Sequence, residues 1–344
     1  MVSSAVGSRV VVTGATGNVG TSVMRLLAGD PDIASVVGLA RRLPAERPPG
    51  TQWSAVDLAS EQADLVREFE GADAVVHLAW AFRPTHDPAT TWRTNVLGSI
   101  RVFEAVAAAG VPALVHASSV GAYSPGPKDR TVDESWPTHG WPDAAYTREK
   151  AYLERTLDAF EYRHPEVRVV RMRPAFLFKR ESASEQRRIF GGKFLPGPPA
   201  KPESLPFLPD VPGLRLQALH TDDAAHAYRL AVRGDVRGAF NLAAEPAVDA
   251  GVLGELLGVR RQMRLPRAVA RSAVAAAWGL RLLPASPHLF DAVLRLPLMD
   301  CTRARVELGW RPTKPATEVL EEFLQGLREG AGAPTEPLRG RKVG

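Results

Sequence analysis

One short stretch restricts the folds open to this chain more than any other. Thr13-Gly14-Ala15-Thr16-Gly17-Asn18-Val19-Gly20 follows the β-branched run Arg9–Thr13 and opens the helix-like segment Asn18–Leu27. A glycine run between a strand and a helix is suited to phosphate, because the helix N-terminus offers free N–H groups and a positive dipole end. Gly14 fits a tight turn, Gly17 a close approach by a pyrophosphate, and Gly20 the packing of helix on strand. Thr16, Asn18 and Val19 lie in the same turn and complete the expected cofactor cradle.

The pattern continues as alternating strands and helices. Ser35–Leu39, Gln52–Val56, Ala74–Leu78, Ala113–His116 and Val167–Met172 read as strands; Asp64–Phe69, Ala89–Ala109 and Asp143–Tyr162 read as helices between them. Such alternation predicts an α/β chain: a Rossmann-type doubly wound parallel sheet, here over residues 1–172. Seven prolines between Leu195 and Pro212 predict a long loop. The helix Asp222–Val232 and the strand Ala239–Leu242 suggest that residues 214–244 return to the first domain. That leaves 173–213 and 245–329 for a smaller, mainly helical substrate lobe, and 330–344 for a flexible tail.

Composition removes several classes. The 43 basic and 38 acidic residues give only +5, with no Lys/Arg run longer than two, so dedicated nucleic-acid binding is not expected. The most apolar stretch, Ala268–Leu283, is broken by Arg271 and Arg281 and does not predict a membrane span. One cysteine, Cys301, forms no intramolecular disulfide, and residues 1–9 lack an apolar signal region, so a cytoplasmic protein is expected. His220, Asp222 and Asp223 have no partners at ligand spacing, and no metal is expected.

The end of the second strand bears on cofactor choice. An acid about 20 residues after the glycine run would hold ribose hydroxyls, but the chain reads Ala40-Arg41-Arg42. Guanidinium groups suit a 2′-phosphate, so NADP is preferred and NAD remains possible; two solvated surface arginines are the bland alternative. Leu78 and Ala79 end the fourth strand and are expected beneath the cofactor, with His77 a packed strand residue rather than a base.

Tyr146-Thr147-Arg148-Glu149-Lys150 is a Y-x-x-x-K motif on a predicted helix, where residues four apart share a face. An ammonium near the phenol would lower its pKa by as much as about 3 units. Ser119, at the C-terminal edge of the fifth strand, joins Tyr146 and Lys150 as a proton-transfer set.

The glycine spacing, Ser119, Tyr146 and Lys150 together resemble the extended short-chain dehydrogenase/reductases, the NAD(P)-dependent epimerase/dehydratase family. Thr94-Asn95-Val96-Leu97-Gly98, Ser118–Tyr123, Arg173-Pro174, His220–Asp223, Asn241-Leu242 and Leu308–Pro312 resemble its further landmarks in order. The resemblance implies that Asn95 supports the proton relay, that Lys150 also reaches the nicotinamide ribose, that Pro174 borders the cofactor, and that Asp57-Leu58 face the adenine. Asp57 could equally cap the next helix. It further implies a homodimer through the helices Ala89–Ala109 and Asp143–Tyr162.

Departures from the family pattern narrow the chemistry. Dehydratases of this type carry Asp-Glu where this chain has Val120 and Gly121, which argues against 4,6-dehydration. No Asn follows the last Rossmann strand, which weakens nucleotide-sugar binding, although Lys179 and Arg180 could meet phosphate. Trp80, Phe82 and Phe176, with Phe178 and Leu205–Leu208, suggest an apolar substrate site, or ordinary core packing. The expected activity is interconversion of a secondary alcohol and a ketone. A sugar epimerase and a non-catalytic dinucleotide sensor are the alternatives.

Overall fold

The computed structural model describes residues 7–82, 87–191 and 207–340. Seven parallel strands form the main sheet: β1 (Ser8–Thr13), β2 (Ile33–Ala40), β3 (Thr51–Ala55), β4 (Ala74–His77), β5 (Ala113–Ala117), β6 (Arg168–Pro174) and β7 (Gly238–Leu242). Their order is β7-β6-β5-β4-β1-β2-β3. The chain reverses direction across the sheet between β1 and β4, which opens a crevice at the strands' carboxyl ends.

Both faces of the sheet are covered, which is why the central strands read as unbroken apolar runs. Successive residues point to opposite sides. Val10 and Val12 join Val23, Leu27 and Tyr228 in one core cluster, whereas Val11 joins Phe103, Leu153 and Phe160 in the other. The helices Asn18–Ala28 and Thr221–Arg233 pack together on the first face; Gly98–Ala108 and Ala145–Arg163 cover the second.

Three local features differ from the sequence reading. The expected helix Ala89–Ala109 is interrupted: Pro88–Trp92 passes through a π-helical turn, Arg93–Leu97, before Gly98–Ala108. That turn re-aims Asn95 toward the interior. Within 214–244, the helix Thr221–Arg233 and β7 do lie against the main sheet. The strand Leu216–His220 instead forms the centre of a small separate sheet, parallel to Phe176–Phe178 and antiparallel to Ala244–Val248.

The third concerns the tail expected to be flexible. Residues 330–340 form a compact loop with Leu338 fully buried, because an apolar side chain there finds a slot against the body. Pro196, Pro198, Pro199, Pro202 and Pro206 of the expected proline loop lie outside the described residues, as do Leu205 and the last four residues. The C-terminal lobe carries the helices Ala250–Leu257, Arg267–Gly279, Pro287–Val293, Thr302–Val306 and Ala316–Glu329. Among the described residues no helix is long and apolar enough to cross a membrane.

Candidate active site

A cleft of about 530 Å³ opens at the carboxyl edge of the sheet. Thr13, Gly14, Thr16 and Gly17 form its floor, and Arg41, Arg42, Asp57, Leu58, Leu78 and Ala79 line its wall. Gly14 has φ +68°, and a Cβ there would lie 2.6 Å from the Ala79 nitrogen. A Cβ on Gly20 would come within 2.2 Å of the Gly14 carbonyl, so the first helix approaches the loop only through glycine. Gly17 is different. Its Cβ would meet only the Gly14 oxygen, at 3.4 Å, and would otherwise fill cleft space. This glycine-lined hollow at a helix start, with two arginines along the same wall, fits a dinucleotide's phosphates.

Not every cradle residue faces the cleft. Asn18 is turned toward the second lobe: its Oδ1 accepts from Thr221 Oγ1 at 3.3 Å, and its carbonyl accepts from Lys179 Nζ at 2.8 Å. Val19 packs against the core and Gly20 is buried. Asp57 Oδ1 accepts the Ala59 N–H at 3.0 Å, so Asp57 caps its own turn while lining the cleft. His77 is buried, with Thr13 Oγ1 2.7 Å from Nδ1 and Ser99 Oγ 2.8 Å from Nε2. Burial, reinforced by Lys150, pushes its pKa down to about 3.

Farther along the cleft, Tyr146 Oη donates to Ser119 Oγ at 2.8 Å, and the Gly121 N–H donates to the same oxygen at 3.0 Å. Trp80 and Phe82 meet the Tyr146 ring edge-on, with centroids 5.8 and 4.8 Å away, and Phe190 lies against Phe82. A small recess beside Tyr146 is closed by Ala144, Ala145, Ser286 and Leu289, so the second lobe reaches the site. Phe176 is placed elsewhere, packed against the core rather than lining this cleft, and Pro174 is buried in β6.

Lys150 corrects one expectation. Its ammonium donates to the Ala117 carbonyl at 2.6 Å and sits 3.5 Å from the centre of the Trp80 ring. Burial lowers its pKa to about 7, against the pull of Glu149 and Glu154. Tyr146 is not lowered by the lysine; burial raises the phenol to about 12, only partly offset by the Ser119 hydrogen bond. Desolvation opposes both charges and outweighs their attraction.

Asn95 also differs. Its Nδ2 donates to Glu149 Oε2 at 2.7 Å and its Oδ1 accepts the Ala81 N–H at 2.7 Å, so it grips the Trp80–Phe82 loop rather than Lys150 or Tyr146. Glu149, inside the Y-x-x-x-K motif, has no role in the sequence reading. It is buried, its pKa is raised by burial, and it accepts from Thr91 Oγ1 at 2.5 Å. Glu185 and Arg188 also line the cleft unforeseen, the former pushed up to about 7 by burial. Nothing in their local sequence marks them.

Residues 10–243 match the model of the NAD dependent epimerase/dehydratase family. The chain belongs to that family. A UDP-glucose 4-epimerase of Mycolicibacterium smegmatis is 27% identical over 336 residues, covering 93% of this chain and 98% of that protein. An uncharacterized protein of Mycobacterium tuberculosis is 26% identical over 335 residues, covering 92% and 83%. The crystal structure of a Thermus thermophilus UDP-glucose 4-epimerase in complex with NAD shares the fold, with a TM-score of 0.68 at 20% identity over 93% of this chain and 99% of that one.

Several epimerase/dehydratase landmarks act here as scaffold. Arg173 forks onto Glu154 at 3.0 and 2.9 Å, and Ser118 Oγ donates to Glu154 at 2.5 Å. Burial alone would raise the Glu154 carboxyl, yet Arg173 and Arg171 hold it near 2. Arg173 also donates to Tyr123 Oη, whose hydroxyl donates to Asn241 Oδ1 at 2.6 Å. Trp310, fully buried, donates to the Asp223 carbonyl at 2.8 Å and ties the C-terminal lobe to the helix Thr221–Arg233. Lys179 and Arg180 are occupied: Lys179 Nζ donates to Asn18 O, Thr21 Oγ1 and Ser22 Oγ, and Arg180 pairs with Glu329. Among the described residues no group of three or more His, Cys, Asp or Glu side chains is arranged to hold a metal.

Proposed function

We propose that this chain is an NAD(P)-dependent oxidoreductase that prefers NADP and moves hydride between a nicotinamide and a secondary alcohol or ketone carbon, with Tyr146 as proton carrier. The observation that carries the reading is the Tyr146–Ser119 hydrogen bond of 2.8 Å, beside a glycine-lined cleft. The cradle and helix start would hold the pyrophosphate, Arg41 and Arg42 the 2′-phosphate, and Lys150 the ribose. The bound dinucleotide would supply the hydride chemistry.

The protein's own groups handle the proton. Both acceptor positions of Ser119 Oγ are taken, by the Tyr146 hydroxyl and the Gly121 N–H, so its own O–H is left to donate toward a substrate oxygen. A phenol raised to about 12 holds its proton at neutral pH, so it can pass that proton to Ser119 Oγ as the Ser119 proton passes to a developing alkoxide. The Trp80, Phe82, Phe190 and Leu289 walls favour an apolar ketone.

One observation weighs against nucleotide-sugar binding and another against 4,6-dehydration. Lys179 and Arg180 are engaged within the protein. A Cβ on Gly121 would lie 2.6 Å from the Tyr146 ring, so the dehydratase acid cannot stand there with Tyr146 in this place. The likeness to a UDP-glucose 4-epimerase over nearly its whole length favours, as a second reading, transient hydride transfer with epimerisation. A sensor without turnover is opposed by the hydrogen-bonded Ser119–Tyr146 pair. Exposed Tyr152, Tyr162 and Leu97 on the helices expected to pair support a homodimer, measurable by sedimentation.

The test is a panel of apolar ketones and nucleotide sugars with NADPH and NADH. Loss of NADPH absorbance with a ketone is expected. Inversion of a sugar without net cofactor change would establish the epimerase reading instead.

A further inference from the structure

No acid stands at the end of β2, where a ribose-binding carboxylate is common; the chain reads Ala40-Arg41-Arg42. The fold brings a carboxylate to that place from the far end of the chain. The loop 332–340 closes on itself through Ala333 N–H to Leu338 O at 2.8 Å and Leu338 N–H to Thr335 O at 3.1 Å. Two anchors fasten it to the cleft. Thr335 Oγ1 donates to the Thr16 carbonyl of the phosphate loop at 2.9 Å, and Arg188 donates to the carbonyls of Pro337 and Arg339 at 2.7 and 2.8 Å. Between the anchors, Glu336 and Pro337 form part of the cleft wall.

Glu336 lies between two guanidinium groups. Its Oε2 is 3.4 Å from Arg42 Nη1 and its Oε1 is 2.5 Å from Arg339 Nη2. The Arg42 contact is long, and that side chain is 64% exposed, so the pair is weak and open to a competitor. The Arg339 contact is shorter, within the same turn of chain, and leaves Glu336 a second partner when Arg42 is otherwise engaged, although Arg339 is 66% exposed as well.

We propose that Glu336 is a specificity-determining residue, competing with the adenosine 2′-phosphate for Arg42 and so lowering the preference for NADP over NAD. The proposal rests on the dinucleotide reading above and deepens it. A phosphate carries more charge and more acceptor oxygens than a carboxylate, so it displaces Glu336 from Arg42, but only by breaking the contact that Arg42 makes in the free protein. The contact that Arg42 must give up is therefore subtracted from binding of the phosphorylated cofactor for as long as Arg42 is present, and binding of the plain ribose is indifferent to it.

The experiment is equilibrium titration, followed by tryptophan fluorescence or calorimetry, of NADP, NAD, 2′,5′-ADP and 5′-AMP against four proteins: wild type, Glu336→Gln, Arg42→Ala and the double variant. Glu336→Gln is expected to tighten NADP and 2′,5′-ADP by about three- to tenfold and to leave NAD and 5′-AMP within about twofold. In the Arg42→Ala background the gain should shrink. An unchanged NADP/NAD ratio in Glu336→Gln, or a gain undiminished by Arg42→Ala, overturns the competition. Loss of 5′-AMP and NAD affinity in Glu336→Gln would show a ribose acceptor instead, and also overturns it. Failure of every ligand to bind wild type would remove the dinucleotide reading and this proposal together; binding without response to Glu336 removes this proposal alone.

Discussion

Lys150→Met replaces a buried ammonium by a neutral side chain of similar length, and its effect on stability has a distinctive pH dependence. Burial lowers the folded-state pKa of Lys150 from 10.5 to about 7. Between those values the unfolded chain keeps the proton and the folded chain sheds it, so wild-type stability rises with pH across this window. At about 1.4 kcal/mol per unit, and allowing for the rounded start of the titration, wild type should gain about 2 kcal/mol on the methionine variant between about pH 7 and pH 9. Below about pH 6 both states are protonated and the difference should be flat. The absolute offset is a poorer guide, because the variant also loses the Ala117 hydrogen bond and the Trp80 contact, together worth about 2 to 5 kcal/mol. The assay is urea unfolding of dinucleotide-free wild type and Lys150→Met at several pH values. A stability difference that stays constant from pH 6 to pH 9 would mean that the ammonium keeps its ordinary pKa, and the balance of burial over attraction argued for this site would be wrong.

Gly17→Val fills the hollow that remains open beside that glycine, so NAD and NADP titrations should both lose binding while the unfolding midpoint stays near wild type. Tyr146→Phe keeps the ring between Trp80 and Phe82 but removes the proposed proton carrier; turnover on any substrate found should fall by about 10²- to 10⁴-fold with cofactor affinity nearly unchanged. Retained turnover in that variant would assign the proton to another acid. Gly121→Ala sets a methyl 2.6 Å from the Tyr146 ring, forcing the phenol away from Ser119, and should reduce turnover by about 10²-fold while costing about 1 to 3 kcal/mol of stability in a denaturation curve.

The central sheet was readable because each strand is buried on both faces, which leaves continuous runs such as Val10–Val12, while the interposed helices begin and end at recognisable punctuation. The interruption at Arg93–Leu97 was not, because a π-helical turn conserves helical composition and shifts only the hydrogen-bond register. Leu216–His220 had a strand-like composition, but nothing local says which sheet a short strand joins. Its partners, Phe176–Phe178 and Ala244–Val248, are fixed by the packing of the second lobe.

The candidate site divides along the same line. Gly14, Ser119, Tyr146 and Lys150 could be recognised because each sits at a fixed offset from a strand end or on one helix face, so topology alone brings them to the carboxyl edge of the sheet, with Lys150 buried beneath Trp80. Electrostatic state cannot be read from offsets. The spacing of Tyr146 and Lys150 suggested mutual stabilisation of two charges, whereas the enclosing Trp80 and Phe82 remove the water that would have supported either one. Glu149 and Glu336 show the limit from the other side. One is an acid whose partners, Thr91 and Asn95, lie more than fifty residues earlier, and the other reaches the Arg42 wall from the opposite terminus. The proton transfer proposed at the Ser119 end and the cofactor choice proposed at the Arg42 end therefore depend on contacts that only the closed fold creates. A family match made on β1 through β7 consequently does not carry the chemistry of this particular cleft with it.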